Sequence, residues 1–147
     1  MTSEGKTRRE FLKDACTACM GVSFLGISLS QLTSCSPFPV YKTDLSKKIV
    51  TVPLSSFGES TMVIVRDMQV IYDVLLVKKS DQVYDALYMR CTHQENPLTA
   101  TKTGLFCSAH GSRFDLDGNV LKEPALAPLK KFKTELQENQ VLIDLNS

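Results

Sequence analysis

Two short clusters hold the residues of this chain best suited to bind a metal. Cys91-Thr92-His93 and Cys107-Ser108-Ala109-His110 contain the only two histidines and the last two of five cysteines. Thiolate and imidazole are the protein donors that soft and borderline transition metals prefer. A Cys2His2 set suits one tetrahedral zinc, but zinc sites commonly pair like ligands, as C-x2-4-C followed by H-x3-5-H. Here unlike donors are paired, Cys-x-His and then Cys-x-x-His, with thirteen residues between the pairs. That mixed order suits a two-metal centre in which Cys91 and Cys107 serve one iron and His93 and His110 the other. One zinc ion, or a plain Cys91–Cys107 disulfide, are the alternatives that the residues leave open.

Such ligands need a scaffold that presents two loop tips side by side. Each cluster follows a strand-like run, "YMR" before Cys91 and "GLF" before Cys107. Other β-branched or alternating runs are "KKIVTVPL", "TMVIVRD", "DVLLVKK", "VYDALYMR", "SRFDL", "PLKKFKTEL" and "NQVLIDL". Ser80-Asp81-Gln82 reads as a hairpin connection, and Asp117-Gly118 as a tight turn in which glycine accepts positive φ. No stretch keeps a helical period with caps. Eight or so short strands predict an all-β fold, a small antiparallel barrel or sandwich with a ligand-bearing subdomain.

The length allows one ordinary domain after an N-terminal leader. From Cys35 onward thirteen Lys and Arg balance thirteen Asp and Glu, so no basic face is available to neutralise nucleic-acid phosphates. No G-x-G-x-x-G loop precedes a helix, which removes the usual nucleotide-cofactor signature. Both histidines are already committed, so no two-histidine, one-carboxylate iron site remains for oxygen chemistry. The chain therefore has no catalytic site of its own in view.

The two ligand clusters resemble the binding loops of the Rieske [2Fe–2S] family: "CTH", "CSAHGS" and the following "FDLDG", with "VLKEPALAPLKKF" similar to its proline-containing third loop. The similarity covers residues 83–145. The resemblance implies that Cys91 and Cys107 bind the inner iron and that His93 and His110 bind the outer iron near the surface. It implies that Gly111 lets the backbone pass close to the cluster, and that the Ser112 hydroxyl donates to a cluster sulfur. Pro124 and Pro128 fit the loop that covers the cluster. The chain departs from the pattern at Glu123, where a glycine is usual. It has Ala109 and Asn96 where respiratory members have a disulfide, and Phe114 where they have a tyrosine.

The leader carries a second resemblance. "TRREFLK" with Arg8-Arg9, followed by a hydroxyl-rich apolar run, is similar to a bacterial twin-arginine export signal. "LTSC" resembles a lipobox that would leave Cys35 as a lipid-modified N-terminus. Cys16 and Cys19 have the C-x-x-C spacing but lie inside this run, without a redox-fold pattern. The expected organisation is a signal over residues 1–34, a tether over 35–45 and a Rieske domain over 46–147, with its cluster-binding part at about 88–128.

The implied function is one-electron transfer in a bacterial envelope redox chain. The implied location is membrane-anchored, facing the periplasm or the outside. The implied partner is a cytochrome or a larger oxidoreductase subunit, with membrane contact through lipid or leader. The same domain as the small subunit of a quinol–cytochrome reductase or an arsenite-oxidase-like complex is one alternative, and a zinc-stabilised scaffold is another. Replacing two thiolates by neutral imidazoles makes reduction less costly in charge, which raises the potential above that of an all-cysteine centre. Imidazoles bound through one nitrogen keep a proton on the other, so electron uptake at high pH is expected to be coupled to proton uptake.

Overall fold

"TMVIVRD" and "DVLLVKK" are apolar at consecutive positions because the strands they form are covered on both faces. The computed structural model describes residues 38–147. In it Met62–Arg66 (β3) and Val74–Lys78 (β4) lie in the middle of a seven-stranded sheet. Met62, Ile64, Leu75 and Val77 turn to one core, and Val63, Val65, Val74 and Leu76 turn to a second. Period-two geometry sends neighbouring residues to opposite faces, so two covered faces leave no polar alternation to read.

The remaining strands are Val40–Lys42 (β1), Ile49–Pro53 (β2), Tyr84–Tyr88 (β5), Thr99–Thr101 (β6), Gly104–Phe106 (β7), Arg113–Phe114 (β8), Val120–Lys122 (β9), Lys131–Gln137 (β10) and Gln140–Asp144 (β11). The large sheet has the order β1-β3-β4-β5-β10-β11-β2, antiparallel except for the parallel β1–β3 pair. It bends so that Val50, Val52, Val141 and Ile143 cover its second face. A four-stranded sheet, β6-β7-β8-β9, covers the first face through Ala100, Leu105 and Phe114. The result is all-β and mostly antiparallel, a nearly closed barrel with a smaller sheet against it.

Three strands escaped the sequence reading. β6 and β9 are three-residue pieces, too short to show a periodic pattern. β1 falls inside the expected tether, whose residues from Phe38 onward are part of the fold. Phe38 is buried, Val40 pairs with Ile64, and the Leu45 N–H donates to Asp67 at 2.9 Å.

The loop between β3 and β4 is held at both ends. Asp67 accepts from the N–H groups of Leu45 and Gln69. Arg66 grips Asp73 through two nitrogens, at 2.7–3.2 Å, which raises the guanidinium above its ordinary value. The expected Asp117-Gly118 turn is present, with Gly118 at φ 80° and its N–H on the Asp115 carbonyl. Asp115 organises that turn. Partial burial opposes its charge, but hydrogen bonds from the Asn119 side chain, the Asn119 N–H and the Asp117 N–H outweigh it and hold the carboxyl below its ordinary 3.8.

Gly104 permits the close approach of β7 to β8. A Cβ there would stand 2.0 Å from the Phe114 carbonyl oxygen, on backbone at φ 155°. Gly104→Ala is expected to force the two strands apart and to destabilise the protein by at least about 2 kcal/mol in chemical unfolding. An unchanged midpoint would show that the strands can shift freely. Asp115→Asn is expected to cost about 1 kcal/mol at neutral pH. Because the native carboxyl is depressed, that contribution exists above pH 3.8 and is lost as pH falls below it, so wild-type and variant unfolding curves should converge in acid.

Candidate functional site

Cys91 lies three residues beyond β5, and Cys107 follows β7 directly. The two loops that begin there close in the same way. The Cys91 N–H donates to the Asn96 carbonyl and the Glu95 N–H donates to the Cys91 carbonyl, each at 2.9 Å. In the second loop the Cys107 N–H donates to the Ser112 carbonyl and the Gly111 N–H to the Cys107 carbonyl, again at 2.9 Å. The residue four places after each cysteine is left-handed: Glu95 at φ 53° and Gly111 at φ 85°. Nothing lies within 4 Å of a Cβ added to Gly111, so within the protein its φ, not crowding, calls for glycine.

This shared frame separates the donors by environment. Cys91 and Cys107 are each 1% exposed, carry no disulfide, and belong to the core that includes Leu75, Leu87 and Phe114. His93 and His110 are exposed, with ring centroids 5.0 Å apart and planes at 88°. The thiols thus sit inward between the two sheets, and the imidazoles sit together at the surface. Two buried sulfurs and two surface nitrogens are the donors that the two unlike irons of such a centre take. The donor set fits a [2Fe–2S] centre.

The third loop ties the first two together. The Thr92 hydroxyl donates to the Ala127 carbonyl at 2.7 Å, and the Ala125 N–H donates to the Ser112 hydroxyl at 3.0 Å. Ser112 is fully buried, and Pro124, preceded by a cis peptide bond from Glu123, is half-buried beside Ala125. Phe114 is buried in the core shared with both cysteines. Ala109, which stands in a disulfide position of respiratory members, is exposed, and Asn96 donates to the Gln94 carbonyl. The first loop has a further brace: Glu95 takes the Tyr72 hydroxyl on its carbonyl and Arg90 on its carboxylate. The Arg90 guanidinium also lies 5.9 Å from the Tyr72 ring centroid.

The Rieske [2Fe–2S] domain matches residues 44–133, more than half of the chain. This chain belongs to the Rieske family. Among curated proteins, it is 33% identical over 86 residues to the Cytochrome b6-f complex iron-sulfur subunit 3 of Nostoc sp., covering 58% of this chain and 43% of that one. The match thus spans less than half of the relative's length. The cyanobacterial plasma membrane Rieske protein PetC3 of Synechocystis shares the fold at a TM-score of 0.54 and 22% identity, over 64% of this chain and 97% of that one. The complex of reduced oxygenase and oxidized ferredoxin in carbazole 1,9a-dioxygenase gives 0.50 and 22%, over 66% and 93%. In this Rieske chain the arrangement of Cys91, Cys107, His93 and His110 is that of a [2Fe–2S] cluster-binding site.

The residues singled out in the sequence, Cys91, His93, Cys107, His110, Gly111, Ser112, Phe114 and Pro124, all lie in the three loops or in the core beside them. Sequence reasoning missed Thr92, whose only signal is its place between two ligands, and Tyr72, which has none. Gly104 had one, since an isolated glycine within a strand run marks close backbone approach. Arg8, Arg9 and Cys35 lie outside the described residues.

Ser112→Ala removes the acceptor of a buried N–H and is expected to cost about 1–3 kcal/mol. Thr92→Val frees a carbonyl on an exposed loop, where water substitutes, and should cost less than about 1 kcal/mol. Chemical unfolding of both variants checks the order, and a larger loss from Thr92→Val would contradict it.

Proposed function

We propose that this Rieske chain is an envelope electron carrier with no catalytic site of its own. The observation that carries the proposal is the pairing of two buried thiols with two adjacent exposed imidazoles at the tips of matched loops. A bound [2Fe–2S] cluster supplies a reversible one-electron store. Cys91 and Cys107 hold its inner iron away from water, while His93 and His110 hold the outer iron and bring it to the surface. Ser112 gives a lone pair to Ala125 and keeps its proton for a cluster sulfur. Phe114 offers no counterpart, and Pro124 and the rest of the third loop limit water. Gly111 shapes the second loop. With both histidines holding the cluster, none is left for a two-histidine, one-carboxylate iron site.

Residues 1–34 act as a twin-arginine export signal read through Arg8 and Arg9. Lipid on Cys35 holds the mature protein in the membrane with its domain in the periplasm or outside. Among the described residues, no helix is long and apolar enough to cross a membrane. The partner is a redox protein, either a cytochrome or a larger oxidoreductase subunit. The Nostoc relative's name, an iron-sulfur subunit of a cytochrome complex, supports a setting within a membrane redox assembly. The domain requires neither nucleic acid nor a nucleotide cofactor.

Protein purified from its host is expected to hold two irons and two labile sulfides per chain and to be red-brown. Its midpoint is expected within about −150 to +300 mV and below the upper end, because only one of the two usual hydroxyl donors is present. Metal analysis and redox titration decide this: one zinc per chain overturns the electron-transfer reading, and a value at the top overturns the donor argument. Replacing Arg8 and Arg9 by lysine should leave unprocessed protein in the cytoplasm, which fractionation reads directly.

A further inference from the structure

The second core is left open at one end of the large sheet. Val74 and Phe132 belong to that core, and Leu45, Tyr88 and Leu145 pack against it. The same five residues line a groove of about 610 Å³, together with Val70 and Tyr72 of the β3–β4 loop. The groove is therefore the uncovered mouth of the barrel. Barrel mouths are a common seat for small ligands, and a cleft of this size takes an organic molecule.

The strand register explains why the wall of the groove is aromatic. Val74 pairs with Tyr88, and the Tyr88 N–H donates to the Lys130 carbonyl at 2.9 Å. Tyr72, Tyr88 and Phe132 thus come from three neighbouring segments. Their rings meet edge to face, with centroids 5.5 Å apart in both pairs and planes at 70° and 69°. Rings in this arrangement offer both faces and edges to a flat apolar ligand.

The polar groups of the groove are unequally matched. Arg90 and Glu95 bind each other, so their charges cancel. Lys130 has no carboxylate partner among the described residues, and its ammonium stands 4.7 Å from the Phe132 ring centroid. The half-buried Tyr88 has no hydrogen-bond partner for its hydroxyl among them either. Burial raises this phenol above its ordinary 10.0, against the opposing pull of Arg90, so it stays protonated and able to donate. One uncancelled positive charge and one free donor therefore sit beside an aromatic wall.

We propose that the barrel mouth binds a small aromatic carboxylate. Its ring system lies against Tyr72, Tyr88 and Phe132, and its carboxylate takes hydrogen bonds from Lys130 and Tyr88. A neutral apolar molecule leaves the Lys130 charge unmatched, and an inorganic anion leaves the aromatic wall bare. None of these four residues is a cluster ligand, so the site stands or falls separately from the electron-transfer reading.

Calorimetric titration of the full-length, cluster-loaded protein with 2-naphthoate tests the site. Saturable binding of one molecule per chain is expected. Naphthalene-2-carboxamide, which has the rings without the charge, is expected to bind about tenfold more weakly, and acetate not measurably. Lys130→Met and Tyr88→Phe should each weaken 2-naphthoate about tenfold, with the visible spectrum of the cluster unchanged. Lys102→Met, at an exposed lysine of the β6–β7 turn outside the groove, should leave the affinity as it was. Lys130 is exposed, so its variant reads the site even where Tyr88→Phe disturbs packing. Absence of saturable binding overturns the proposal. Equal affinity for the carboxamide, or full affinity in the Lys130 variant, overturns the carboxylate class and with it the site as described.

Discussion

The structure depends on burying two thiols in a core that two sheets share. Cys91 follows β5, the middle strand of the large sheet, and Cys107 follows β7 of the small one, yet both sit in the cluster that contains Leu75, Leu87, Leu105 and Phe114. The small sheet accordingly adds a second layer over a face that the large sheet would otherwise expose. The fold and the metal site are thus one packing problem, and the tight β7–β8 approach at Gly104 belongs to both.

Where the family resemblance implies a disulfide between the two loops of respiratory members, this chain has Ala109 and Asn96. Its loops are joined through a third segment by Thr92 and Ser112. The two links are unequal: the Ser112 bond is buried and the Thr92 bond exposed. A buried hydrogen bond has no water to replace it, whereas an exposed one exchanges readily. The second loop is thereby held more firmly to the covering segment than the first. The first loop takes its additional support from Tyr72 and Arg90, through Glu95.

The ligands were legible in the sequence because their chemistry is scarce: two histidines, each close to a cysteine, leave few alternatives. The strands of the large sheet were legible from β-branched runs, although β3 and β4 showed no alternation because both faces are buried. β1 was not legible. "SPFPVYK" has the prolines of a spacer, and only the parallel pairing with β3, a contact between distant residues, makes it a strand. Thr92, Tyr72 and Ala125 were invisible for the same reason, since each acts through a partner 13–35 residues away. Local pattern reports what a residue is, while these roles come from what the fold sets beside it.

The two ligand loops show how one backbone frame can serve unequal spacings. Both close with the same pair of hydrogen bonds and both turn left-handed four residues after the cysteine. Histidine sits two residues after Cys91 but three after Cys107. A turn presents successive side chains in different directions, so the one-residue offset aims the two rings differently from equivalent frames. Their planes stand at 88° with centroids 5.0 Å apart, close enough to serve one ion without stacking flat. The left-handed position is filled differently as well. Gly111 adopts it without strain, whereas Glu95, carrying a side chain, does so at a cost of about 1 kcal/mol or more. Tyr72 and Arg90 converge on that residue, so the first loop is braced where its backbone is least comfortable.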